Sequence, residues 1–302
     1  MSDIKSEYES SLKSIETENK IDRMFYRPLG FIIAKSLKNT GITPNMVTIL
    51  SIFVGLGAGI LFYFPHHLTF TIYGILCLIC ANILDCVDGQ LARLTGIKSE
   101  IGRILDGFAG DLWFFCIYVS FALRLIHEYP QWWYLFFPLA ILSGFSHQAQ
   151  AAMTDYYKTL HLFFVSKETG KEFESYEQVK ARCEKMKPGI VKFFTCGYAT
   201  YTRNQEKFTP KLQQLLQALK NKYHDNIPEN LRIAFRKKSR YLMRYIDFLT
   251  FNGRTIVLFI IVLTGQVWAY FAYEIIILNG ILIYVVKRHE KMCANFLKKM
   301  NE

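Results

Sequence analysis

A disulfide framework, a zinc-ligand spacing, a helix-turn-helix context and an RNA-binding motif are all missing from this chain of 302 residues. Its seven cysteines (Cys77, Cys80, Cys86, Cys116, Cys183, Cys196 and Cys293) are odd in number and share no repeated spacing, so no disulfide pattern is expected. Cys77 and Cys80 form a C-x-x-C, but it lies within an apolar run, where packing explains the pair better than redox or zinc chemistry. The opening stretch MSDIKSEYESSLKSIETENK has no apolar core and is not read as a cleavable signal peptide. Internal repeats and low-complexity tracts are also lacking. With no nucleic-acid motif to support it, the formal charge of +11 is not taken as the footprint of a nucleic-acid partner.

What is present is apolar. Hydrophobic residues make up 51% of the chain and the mean hydropathy is +0.14, too apolar for a soluble domain of this charge. The two facts agree if the apolar residues are gathered into membrane spans and the basic ones sit in loops beside them. Six spans are expected: Val47–Phe64, Leu68–Leu84, Gly107–Leu123, Trp132–Ala152, Thr255–Tyr270 and Phe271–Val286. The segment Lys158–Arg254 holds 20 Lys and Arg against 9 Asp and Glu, which places it in the cytoplasm. Counting spans backwards puts the loop between spans two and three, and both termini, on that same face. Ile21–Lys38 mixes apolar and basic residues around Pro28 and suits a helix lying flat in the headgroup layer. FTPKLQQLLQALKNKY and IPENLRIAFRKKSRYLMRYI read as amphipathic helices. The expected fold is therefore all-α and integral to the membrane: a six-transmembrane-helix bundle, an N-terminal interfacial helix and a basic cytoplasmic helical insert. Its parts are residues 1–45, spans at 46–157, the insert at 158–254, and the closing spans and tail at 255–302.

Carboxylates at a membrane edge are expensive and tend to be functional. Asp85 and Asp88 end the second span, and Asp106 and Asp111 begin the third. On a helix, Asp85, Asp88, Gly89 and Ala92 share one stripe, and Gly102 shares a face with Asp106. Antiparallel packing of those faces would point Asp85, Asp88 and Asp106 into one pocket. Convergent carboxylates repel one another unless a hard cation sits between them, and all-oxygen ligation suits Mg²⁺ or Mn²⁺ bridging a phosphate. Arg93 is placed to meet phosphate oxygens.

The run Asp85-x-x-Asp88-Gly89-x-x-Ala92-Arg93, eight residues, then Gly102-x-x-x-Asp106, resembles the signature of the CDP-alcohol phosphotransferases, D-x₂-D-G-x₂-A-R-x₈-G-x₃-D-x₃-D. Seven fixed positions agree with all their spacings, and TPNMVT at 43–48 looks like that family's opening of the first span. The resemblance implies that cytidine diphosphate sits over Gly89 and Ala92, contacted by Asp85, Asp88 and Arg93. It implies two metal ions held by Asp85, Asp88, Asp106 and the final aspartate. That aspartate would also be the general base, taking the acceptor hydroxyl's proton as CMP leaves. It implies a CDP-linked lipid donor, a polar alcohol acceptor and a homodimer among membrane phospholipids. The departure is at the last position, which is Gly110, with the acid at Asp111. On a regular helix Asp111 lies about 140° from Asp106. A π-bulge would absorb the extra residue, made cheap by Gly107 and Gly110, and would bring Asp111 to the site as base.

Six spans favour CDP-diacylglycerol as donor, with an acceptor such as an inositol phosphate. The alternatives are CDP-choline or CDP-ethanolamine with diacylglycerol, or a catalytically degenerate lipid-binding scaffold of the same fold. A transporter would need acids at mid-membrane and inverted repeats, whereas these acids lie at one helix end. His147, Gln148, Gln150, Asp155 and Lys158 either line an acceptor pocket or solvate a helix end. His66 and His67 read as interfacial, Lys98 and Arg103 as anchors, and Arg236, Lys237, Lys238 and Arg240 as a patch for anionic headgroups.

Overall fold

The computed structural model describes the chain except residues 1, 13, 15, 66, 98, 166–172, 225 and 302, with backbone alone for 2–4, 100, 101, 103, 190 and 301. His66, Lys98 and the side chain of Arg103 lie outside the described residues. The described residues form helices and no strand: α1 (Ser2–Ser11), a π-turn (Asp22–Tyr26), α2 (Arg27–Leu37), α3 (Pro44–Tyr63), α4 (Leu68–Thr95), α5 (Glu100–Glu128) and α6 (Trp133–Val165). There follow α7 (Tyr176–Lys185), α8 (Ile190–Lys207), α9 (Pro210–Tyr223), α10 (Glu229–Ile246), α11 (Phe251–Thr264), α12 (Trp268–Ala272), a second π-turn (Tyr273–Leu278) and α13 (Asn279–Asn301). Two compact units result, residues 1–148 with 251–275, and residues 149–250 with 276–302.

Among the described residues five helical stretches are long and apolar enough to cross a membrane: Pro44–Tyr63, Leu68–Thr95, Ile104–Glu128, Glu229–Thr264 and Trp268–Met300. The chain is thus a multi-pass integral membrane protein. The sequence reads six spans, and the one expected at Trp132–Ala152 is not among these five. Its helix, α6, carries Ser143, Ser146, His147, Gln148 and Gln150, which dilute its apolar character. The break between the closing pair also falls earlier than expected, at Gly265, whose φ of 76° suits a residue without Cβ.

In the first unit, small residues set the helix spacing. A Cβ on Gly55 would stand 2.2 Å from Trp113 Cδ1, and one on Gly59 would stand 2.6 Å from Cys116 Sγ, so α3 and α5 touch backbone to side chain. Phe62, Trp113, Phe121, Tyr270 and Phe271 fill the core between α3, α5 and the closing helices. Pro28 occupies the first turn of α2, and Ala34 packs on Val87 and Leu91 of α4. In the second unit, α9 and α10 form where the amphipathic patterns place them. Phe164 stacks on Phe235 at 3.8 Å, and Glu290 accepts from the backbone N–H groups of Lys211 (2.6 Å) and Leu212 (3.2 Å), capping α9. Cys183 and Cys196 form a disulfide, Cα–Cα 5.5 Å, which corrects the expectation of none. The α7–α8 hairpin brings together two cysteines whose sequence spacing carries no signal. Cys77 and Cys80 remain free thiols.

Candidate active site

The site begins with how α3, α4 and α5 start and stop. Thr43 caps α3, its side chain accepting from Met46 N, and Pro44 opens the first turn. Gly96, at φ 73°, ends α4. Ser99 Oγ accepts from Gly102 N at 2.9 Å and caps α5. Asn45, near the start of α3, exchanges hydrogen bonds with Ser99 at 3.0 and 3.1 Å. A Cβ on Gly102 would stand 2.2 Å from Asn45 Oδ1, so glycine at that motif position keeps the beginnings of α3 and α5 joined. Thr48 Oγ1 donates to Asp88 Oδ2 at 2.5 Å, within the buried interface of α3 and α4. The TPNMVT segment thus supplies a cap, a clasp to α5 and a donor to a motif aspartate.

Asp85 and Asp88 on α4 and Asp106 on α5 each bring a carboxylate oxygen within 4.8 Å of the others. Asp88 is buried and Asp106 exposed. Three anionic groups at this range repel strongly where water is scarce. Their donor set is all oxygen, so they could hold a divalent metal ion. Arg93 lies across Gly89: a Cβ there would stand 3.2 Å from an Arg93 guanidinium nitrogen. Ala92 is half-buried one turn along the same stripe. Arg93 Nε donates to the backbone carbonyl of Ser11 in the N-terminal arm, and Gln90 Nε2 donates to Ser11 Oγ at 3.1 Å.

Asp111 does not join Asp85, Asp88 and Asp106. The bulge expected near Gly107 and Gly110 is absent, because α5 is regular α-helix from Glu100 to Glu128. Asp111 therefore turns to α6, with His147 Nε2 3.5 Å from its Oδ1. Gln148, with its amide nitrogen facing Asp111, donates to both carboxylate oxygens at 3.1 and 3.0 Å. His147 Nδ1 stands 3.2 Å from Tyr118 OH and 3.9 Å from Glu274 Oε1, and its ring packs on Phe114. Glu274 pairs with Arg254, and both are fully buried.

Sequence reasoning overlooked Glu274 and Arg254. Arg254 reads as the last cation of a basic loop, yet α11 has begun and buries it. Glu274 lies on the second π-turn. The overlooked signal was a single acid inside an apolar stretch, which by its cost marks a paired or functional group. Arg27 and Glu18 were also missed; they pair at 3.0 Å on the N-terminal arm, and Asp85 acts electrostatically on Arg27.

Two comparisons bear on this geometry. Residues 41–161 match the family described as CDP-alcohol phosphatidyltransferase. A stretch of 74 residues is 40% identical to archaetidylinositol phosphate synthase of Pyrococcus horikoshii, covering 24% of this chain and 37% of that relative. The match thus spans little more than a third of the relative's length.

Proposed function

We propose, from the premise that residues 41–161 are a CDP-alcohol phosphatidyltransferase domain, that the chain moves a phosphatidyl group from CDP-diacylglycerol to a polar alcohol and releases CMP. The acceptor class we favour is an inositol phosphate, in keeping with the named relative and the basic insert. The observation that carries the proposal is the meeting of Asp85, Asp88 and Asp106 from two successive helices, with Arg93 laid over Gly89 beside them.

The three carboxylates fit a divalent cation of the Mg²⁺ or Mn²⁺ type; the second ion that the resemblance implies would need a ligand other than Asp111 as it stands here. Bound by the carboxylates, such an ion would neutralise charge on the pyrophosphate and orient the leaving group. Thr48 keeps Asp88 oriented by donating to one of its oxygens. Gly89 and Ala92 leave room on α4 for the nucleotide, and Arg93 offers its guanidinium to a phosphate oxygen. The base assigned by the resemblance is Asp111; because it faces His147 and Gln148 of α6 and not the three carboxylates, the acceptor hydroxyl would have to reach it from the α6 side to give up its proton. The acceptor's hydroxyl oxygen then bonds to the β-phosphorus as the bond to CMP breaks, and CMP leaves.

In this reading α6 is a polar-faced fourth span of six, α2 lies in the headgroup layer, and the basic excess of the insert favours a cytoplasmic side for it, the site and both termini. The working form is a homodimer. The test is CMP release by purified protein in detergent with Mg²⁺ or Mn²⁺, across CDP-diacylglycerol, CDP-choline and CDP-ethanolamine and a panel of alcohols. CMP release that Asp85→Asn abolishes is the expected result. No CMP release with any donor would favour the scaffold, and full activity in Asp111→Asn would remove the assigned base.

A further inference from the structure

Two guanidiniums, not one, flank the aspartates. Arg27 opens α2, and its Nε lies 3.0 Å from Glu18 Oε2. Gly30, one turn further along α2, lies against α4, the helix of Asp85 and Asp88: a Cβ on it would stand 2.5 Å from Gln90 Oε1 and 3.0 Å from Cys86 Cβ. Glu18, Asp22 and Asp85 act electrostatically on Arg27. Arg27, Glu18, Asp88 and Asp106 all act electrostatically on Arg93. Two like charges that act on each other are favoured by anions between or beside them. The N-terminal arm supplies what is there now: the Glu18 carboxylate for Arg27 and the Ser11 carbonyl for Arg93.

These acceptors are poor final partners. Ser11 offers a neutral carbonyl to a planar fork that matches phosphate oxygens in pairs. The Glu18 side chain is only 6% exposed, and its second oxygen, Oε1, has no hydrogen-bond partner among the described residues. Gln90 Oε1, which faces Gly30 of α2, is likewise buried and unpaired among the described residues. Buried polar atoms left without a partner cost stability. The arm itself is fastened independently of them: Glu7 accepts from Lys35 at 2.7 Å and from Lys38 at 3.3 Å, and Tyr8 packs edge-on against Phe31.

We propose that Arg27 is a second binding residue for the donor's pyrophosphate, clamping it together with Arg93, and that Ser11 and Glu18 hold the two guanidiniums until that anion replaces them. The inference rests on the CDP-binding reading of this site. Glu18 is then an anionic placeholder that competes with the donor for Arg27, so its loss strengthens donor binding while loss of Arg27 weakens it. A clasp that merely fastened the arm would move both variants in the same direction.

The probe is CDP, titrated by calorimetry into the full-length protein in detergent with Mg²⁺. Arg27→Gln should weaken CDP binding by about tenfold or more, the scale of a lost charge-assisted hydrogen bond. Glu18→Gln should tighten it severalfold, and the Glu18→Gln/Arg27→Gln double variant should bind as weakly as Arg27→Gln. If Arg27→Gln does not fold, Glu18→Gln decides alone, and unchanged or weaker CDP binding in it overturns the proposal. Wild-type binding matched by Arg27→Gln overturns this inference and leaves the site reading standing. A wild type that binds CDP no better than Asp85→Asn overturns both.

Discussion

Arg254 and Glu274 give the sharpest energetic test of the bundle. Both are fully buried in the first unit, on α11 and on the π-turn that follows α12. Removing one member of such a pair strands the other charge in a medium that solvates it badly, at a cost of about 3–5 kcal/mol. Arg254→Met and Glu274→Leu should each lose that much in equilibrium unfolding in mixed micelles. Independent losses would sum to about 6–10 kcal/mol in the double variant. The coupled pair predicts otherwise, because two apolar side chains leave no stranded charge. What remains is the acceptor that Glu274 offers Tyr118, at about 1 kcal/mol, and a weaker electrostatic contact with His147, whose Nδ1 stands 3.9 Å from Glu274 Oε1. The double variant should therefore fall at most about 3 kcal/mol below wild type, and less than either single variant. Additive losses would refute the claim that the two charges stabilise each other.

Gly55→Ala should destabilise by about 1–3 kcal/mol or more through its clash with buried Trp113, whereas Gly57→Ala, with nothing within 4 Å, should be neutral or gain about 0.5–1 kcal/mol in the same unfolding assay. Burial and Arg240 lower His161 from an ordinary 6.5 to about 4, so the unfolded chain takes the proton first. Stability of the second unit should fall progressively from pH 6.5 to about 4, and His161→Gln should flatten that part of the profile. The Cys183–Cys196 disulfide tests the side proposed for the insert: facing the cytoplasm the bond would be reduced in the cell, and rapid alkylation on lysis followed by mass spectrometry should find both thiols blocked. A disulfide surviving that treatment would move the insert to an oxidising face.

Much of the site was legible because its chemistry demands particular residues at particular spacings. Asp85, Asp88 and Asp106 could be placed in one pocket from helical period alone, and the motif glycine at 102 proves to be a contact with Asn45. The exact span ends were not legible, because the mostly apolar stretch from 255 to 286 holds two glycines, Gly265 and Gly280, and only the backbone at Gly265 marks the break. The Cys183–Cys196 pair depends on how α7 meets α8, which no local pattern records. Arg27, Glu18 and Arg254 looked like ordinary interfacial charges, since burial by a neighbouring element is invisible in a linear reading.

The turn between α4 and α5 explains why three aspartates meet and the fourth does not. From Asp88 to the end of α4 at Thr95 is seven residues, and from the start of α5 at Glu100 to Asp106 is six. At 1.5 Å per residue these are about 10.5 and 9 Å, so the eight-residue spacer sets the carboxylates at matching depth. Moving the last aspartate from position 110 to 111 changes its depth by only about 1.5 Å but rotates it by about 100°. Rotation, not depth, is what takes Asp111 off the face shared with Asp106 and turns it onto His147 and Gln148 of α6. On the proposal that Asp111 is the base, the acceptor hydroxyl would approach from the side of His147 and Gln148, and those two side chains are where acceptor selectivity should reside.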